Sequence, residues 1–224
     1  RTLPWRHRPF SEVVRLAWPI AVSLLSFSIM TAVDTLFVGH LGPTALAGVA
    51  LGGTTTFTLV CFGFGLLRAA NITIAQAVGA GQKHSVLAYL GASLVIAIGL
   101  GLVTALAGQF VALFLPALTA SADSGHNAAT YLRVRVLGAP IQLAAIALAG
   151  ARYATGDSRS PMIAVLTANA ANVVLVALFS LGLGAGVAGV AAATVLSQSV
   201  EVFVLSRRQR HVGFGLRVWT MTDL

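Results

Sequence analysis

Charge is scarce in this sequence. Asp, Glu, Lys and Arg make up 9% of its 224 residues, whereas an ordinary soluble domain carries roughly a quarter. No charged side chain lies between Lys83 and Asp123 or between Arg159 and Glu201, and between Arg15 and Arg68 only Asp34 does. At about 20 residues per transmembrane helix, each stretch holds one or two bilayer crossings. The composition is that of a multi-pass membrane protein. Cysteine is equally sparse: Cys61 has no second thiol to pair with, which excludes an internal disulfide framework and a cysteine-based metal site and leaves the redox compartment open. Catalytic signatures are missing too. The chain has no nucleophile elbow and no zinc-protease helix, and "GAGQKH" lacks the spacing and preceding strand of a phosphate loop. Its five histidines stand too far apart to suggest a metal pair. Neither an enzymatic activity nor a bound cofactor or metal is expected.

What is there is an alternation of apolar runs and turn signals. It predicts an all-α membrane protein, a bundle of six transmembrane helices near 13–39, 46–72, 85–114, 128–150, 161–182 and 186–206. The Gly, Pro, Ser and Asp residues of "HLGPTA", "GAGQKH", "LPALTASADSGHN", "ARYATGDSRSP" and "LGAGV" join them. Residues 1–206 thus form a membrane unit and 207–224 a basic cytoplasmic segment. The opening "RTLPWRHRPFSEVVR" and the run behind it imitate a signal peptide, but the run is too long and has no small-x-small cleavage site. It reads as the first transmembrane helix.

Retained positive charge marks the cytoplasmic face. Arg1, Arg6, Arg8 and Arg15 precede the first helix, Lys83 lies between the second and third, Arg152 and Arg159 lie between the fourth and fifth, and Arg207, Arg208, Arg210 and Arg217 follow the sixth. All fall on one side. Both termini are therefore expected in the cytoplasm, and the net charge of +8 reads as topology, not as a nucleic-acid footprint. Arg133 and Arg135 read as anchors at the outer end of the fourth helix, and Arg68 and Asn71 as anchors at the inner end of the second. Small residues crowd "GASLVIAIGLGLVTALAG" and "GAGVAGVAAATV", as close helix packing in lipid requires.

Polar groups inside the spans are the candidates for chemistry. Asp34 lies about 28 Å along its helix from Arg15, in the outer half of the crossing. It is either a packing or headgroup-facing carboxylate or an ion or proton site in a wet cavity, and intramembrane acids favour the second. Such a group exchanges a proton for a cation. Pro19 removes a backbone donor and marks a possible bend, unless it belongs to the first turn of its helix. Asn169 and Asn172 are three apart and share a face; they either bond between helices or line a polar cavity with Asp34. Thr194, Gln198 and Glu201 form a second stripe, in which Glu201 reaches toward Arg207 and Arg208. Gln142 is ambiguous.

Assembled, the chain resembles the N-terminal lobe of multidrug and toxic compound extrusion (MATE) transporters of the DinF-like branch. The resemblance rests on "LAWPI", "VDTLFVGHLGPTALAGVALG", "AQAVGAG", "YLRVRVLGAP", "GDSRSPM" and "GVAGVAAATVLSQ" in that order. It implies an antiporter that exports organic cations or drugs against protons or sodium, with Asp34 the coupling acid and the first helix bending at Pro19. Asn172 and Thr194 would line the cavity, with Asn169 and Gln198 beside them. Val176 stands where relatives commonly carry a second acid. A second six-helix lobe is implied to face this one, since alternating access needs two halves. The setting implied is a bacterial plasma membrane, with membrane lipids, a small-molecule cation and the coupling ion as partners. Two other readings compete: a flippase for lipid-linked precursors, which calls for several basic residues in the cavity, and a non-transporting six-helix module.

Overall fold

The computed structural model describes residues 9–119 and 121–210. Residues 1–8 and 211–224 lie outside the described residues, and with them Arg1, Arg6, Arg8 and most of the basic segment expected at 207–224. The described chain is all helix and turn. Helices α1 (Pro9–Gly39), α2 (Pro43–Gly79) and α3 (Lys83–Ala112) each cross the membrane by length and hydropathy, as do α6 (Arg159–Val176) with its π-helical extension Ala177–Gly182 and α7 (Gly186–Arg210). Turns separate them where the chain offers the right residues: Gly42 adopts φ 104°, a conformation closed to L side chains, and Pro43 starts α2 with a ring already set for a first turn.

The fourth crossing differs from the continuous helix expected over 128–150. It consists of α4 (Ala122–Leu137) and α5 (Ala139–Ala154), bent by 49° at Gly138. Pro140 has no N–H to continue the ladder, and the Gly138 N–H bonds the Arg135 carbonyl in a tightened last turn, 3.1 Å. Helix α4 also begins six residues earlier than expected. Ser121 caps it, accepting from the Ser124 N–H at 3.5 Å, and Asp123 in the first turn complements the helix dipole.

The bend is a crossing point for two other helices. A Cβ added to Gly138 would stand 2.7 Å from Val195 Cγ2 of α7. One added to Gly101 of α3 would stand 2.6 Å from Pro140 N and 3.0 Å from the Ala139 carbonyl carbon, with Pro140 Cα closer still. Backbone atoms cannot step aside as a flexible side chain can. Gly101→Ala should therefore destabilise by about 1–3 kcal/mol through overpacking. Gly99, two residues away, has nothing within 4 Å of its would-be Cβ, so Gly99→Ala should leave the thermal midpoint of the purified protein unchanged or slightly higher. Equal losses for both variants would contradict the packing assignment.

Core packing is layered along the bundle. Val38, Tyr131, Val176 and Val190 gather toward one end, and Ile74, Leu90, Leu148 and Leu205 toward the other. Helix α1 leans chiefly on α6 and leaves most of its large apolar side chains exposed, Leu24 at 68% and Leu36 at 67% among them. Pro19 lies ten residues into α1, whose first residue is Pro9, so the first-turn alternative does not apply. The helix continues through it, and the buried Pro19 carbonyl accepts the Ser23 hydroxyl at 2.8 Å.

Candidate functional site

A cavity of about 400 Å³ opens between α1, α2, α4, α5 and α7. Helix α1 contributes Asp34, Thr31 and Phe27, α2 contributes Thr54, Thr56 and Phe57, α4 contributes Tyr131 and Arg135, α5 contributes Gln142, and α7 contributes Thr194. Polar and apolar side chains share its walls, with Asp34 and Arg135 the charged ones.

The hydroxyls of this wall are committed. Thr31, Thr35, Thr54, Thr56 and Thr194 each donate back to the carbonyl four residues earlier on their own helix, at 2.8–3.1 Å. A hydroxyl so committed keeps its lone pairs as acceptors, but Thr194 also lies within hydrogen-bond reach of the Asp34 carboxyl, to which its hydroxyl can donate. Asp34 stands among them, with the Thr194 hydroxyl and the Arg135 charge as its polar neighbours. Its Oδ1 is buried and has no protein hydrogen-bond partner.

Arg135 is not an interfacial anchor. Because α4 starts at Ala122, Arg135 lies thirteen residues into the span, about 20 Å from its start, and is 9% exposed. Its Nη1 donates to Gln198 Oε1 at 3.1 Å, and it interacts with Tyr131 one turn away. The sequence signal for it is a second charged residue close to Arg133 in one span, and a helix beginning at 128 in place of Ala122 puts that residue near the membrane surface. Arg133 keeps a peripheral position, where its carbonyl accepts the Gln109 side chain at 2.8 Å.

The expected site residues divide. Asp34 and Thr194 line the cavity. Gln198 is not among the lining residues but holds the Arg135 fork from behind. Asn169 ties α6 to α1: its Nδ2 donates to the Ser26 carbonyl at 2.9 Å and meets the Ser26 hydroxyl. Asn172 is fully buried, outside the cavity lining, and neither of its amide atoms has a protein partner. Glu201 forms no ion pair with Arg207, whose guanidinium lies 4.5 Å from the centroid of the Phe203 ring. Asn169→Leu should therefore loosen α1 from α6, lowering stability by about 0.6 to 1.7 kcal/mol in a detergent melt, the range of interhelical hydrogen bonds in membranes. An unshifted melt would contradict that link.

Fold and cavity together define a multi-pass helical membrane protein with a solute-sized polar site between its spans. The chain belongs to the MatE family, whose model matches residues 19–178. It is 34% identical over 208 residues to the chloroplastic protein DETOXIFICATION 44 of Arabidopsis thaliana, an alignment covering 87% of this chain and 40% of the relative. With DNA damage-inducible protein F of Escherichia coli strain K12 it shares 31% identity over 191 residues, 84% of this chain and 42% of the relative. A solved outward-facing multidrug resistance MATE family transporter of the MOP superfamily superposes with a TM-score of 0.85 at 26% identity, over 95% of this chain and 47% of that one. The chain thus spans less than half the length of these relatives, and the part it matches is the N-lobe.

Proposed function

We propose that this lobe belongs to a secondary transporter that exports organic cations or drugs in exchange for protons or sodium, with Asp34 as the coupling carboxylate. The observation that carries the reading is the Asp34 Oδ1 atom, buried at a cavity wall with no protein group bonded to it. A carboxyl oxygen left so is costly to keep charged, and a proton or a cation on it would relieve that cost. The surrounding threonine oxygens extend an acceptor surface that a cation would find congenial. Family membership and the multidrug relative support the efflux class.

Ion and substrate would compete for one acid. Deprotonated Asp34 holds the organic cation; protonation releases it and favours a rearranged α1, bending at Pro19 while the Asn169–Ser26 link keeps its middle against α6. The two arrangements need only differ in how well each tolerates the charge. Both ends of the lobe would face the cytoplasm of a bacterial cell, and a second six-helix lobe would close the exposed side of α1 and α2.

Competition predicts stoichiometric release. Adding ethidium to the purified intact protein in weak buffer should liberate protons if coupling is to protons. If it is to sodium, ethidium should displace bound radioactive sodium. Ethidium binding that liberates neither ion at any pH would overturn the proposal.

A further inference from the structure

The rows of side chains that line the cavity continue beyond it. On α1 the row Asp34, Met30 and Phe27 leads one turn further to Ser23, which is buried. On α7 the row from Thr194 runs through Ser197 and Gln198 to Glu201. On α5 Gln142 stands about three turns before Tyr153, and on α2 Phe57, Val60 and Phe64 lead to Arg68. Four helices thus carry a polar residue to the opposite end of the bundle, and there these residues meet. The Tyr153 hydroxyl lies within hydrogen-bond reach of Ser23 and in the field of Glu201 and Arg68. Along α1 this second cluster is about 16 Å from Asp34. Glu201 is half-buried, and among the described residues it has neither a hydrogen bond nor an ion pair. An acid kept inside a span without a partner marks a site of use. Its surroundings suit a proton better than a metal ion: hydroxyls pass protons along hydrogen bonds, whereas the Arg68 guanidinium repels sodium. The other charged groups on the elements around it are placed elsewhere. Arg135 of α4 bonds Gln198, Arg152 of α5 bonds Asp157 at 3.3 Å, Arg207 lies on Phe203, and Arg15 and Arg159 belong to the starts of α1 and α6.

We propose that Glu201 is a second proton site, the station from which protons taken up at Asp34 leave the lobe, with Tyr153 and Ser23 as the hydroxyls that hand them on. The O–H bond of protonated Asp34 breaks, the proton moves through water and hydroxyl hydrogen bonds, and an O–H bond forms on Glu201. Solvent at that end then takes the proton, and no electrons change hands. The inference rests on the assignment of Asp34 as the coupling acid and deepens it by naming protons as the coupling ion. It also accounts for the unpaired state of Glu201, since an ion pair with Arg68 would hold the carboxylate charged and stop the transfer. Ser23 bonds the Pro19 carbonyl at 2.8 Å, so its hydroxyl belongs to the turn that Pro19 begins. A bend of α1 there would open or close the path.

Transport and spectroscopy of the intact protein test it together. In vesicles, Glu201→Gln should slow ethidium efflux driven by a pH gradient at least about fivefold, yet leave ethidium affinity and ethidium–ethidium exchange within about twofold, because exchange delivers no proton across the membrane. Glu201→Asp keeps an acid and should recover much of the rate, and Tyr153→Phe should fall between wild type and Glu201→Gln. In infrared spectra taken between acidic and alkaline buffer without ethidium, one protonated-carboxyl band should be lost in Glu201→Gln and retained in Asp34→Asn. Equal losses of exchange and net efflux in Glu201→Gln would assign Glu201 to packing and overturn the proposal, as would unchanged efflux or an unchanged spectrum. Efflux driven by a sodium gradient at matched pH would overturn it too, while leaving the Asp34 assignment in place. Failure of that assignment has a different signature: no carboxyl signal answers ethidium, although the Glu201 band persists.

Discussion

In vesicles carrying the intact protein, Asp34→Asn should reduce pH-gradient-driven ethidium efflux to the level of protein-free vesicles, a loss of about 5- to 150-fold if coupling has the strength usual between linked sites. Asn has nearly the shape of the protonated acid, so α1 should keep its packing on α6 and the variant should fold. What it loses is the alternation of charge. Residual binding of the organic cation should no longer depend on pH, because the group that would titrate has been replaced by one that does not. Thr194→Val makes a graded control: it removes an oxygen beside the carboxyl but not the charge, so transport should fall partially and keep its pH dependence. Efflux unchanged in Asp34→Asn would assign the acid to packing.

The second large effect concerns stability gained at the expense of activity. Asn172 is fully buried and both amide atoms lack a protein partner, a state that costs about 1–3 kcal/mol relative to an apolar side chain of similar shape. Asn172→Leu should raise the thermal midpoint by a corresponding amount while transport falls, the trade expected where a protein keeps an uncomfortable group for use. Because leucine is the bulkier residue, Asn172→Val tests the same point without overpacking. Loss of stability in both variants would show that the amide is satisfied and structural.

These residues also show where a linear reading succeeds and where it stops. The spans were legible because lipid imposes one rule on every stretch, long apolar helix or nothing, and the turns because Pro43 and the glycines around it leave few backbone choices. The bend at Gly138 was written in "GAP", but only the approach of Gly101 and Val195 from other helices makes that break a fixed crossing point. The early start of α4 escaped because "SADSGHN" is polar, and its cap depends on Ser121 standing next to a helix that hydropathy alone does not reveal. That slip of six residues moved Arg135 from the interior to the interface. Asn169 and Asn172 share a face by spacing, yet one meets Ser26 of α1 and the amide of the other has no hydrogen-bond partner among the described residues; periodicity places a side chain on a face without naming what faces it. The pairing of Arg135 with Gln198, 63 residues apart, belongs wholly to tertiary structure.

Everything functional in this account depends on one cavity carboxyl that exchanges a proton for a cation. Infrared difference spectroscopy on the intact protein observes that exchange directly. Adding ethidium should bleach a protonated carboxyl band and raise a carboxylate band, both absent in Asp34→Asn; under sodium coupling, the carboxylate band should shift as sodium leaves. A wild-type spectrum in which no carboxyl signal responds to the cation, or one whose signals persist in Asp34→Asn, would contradict the account.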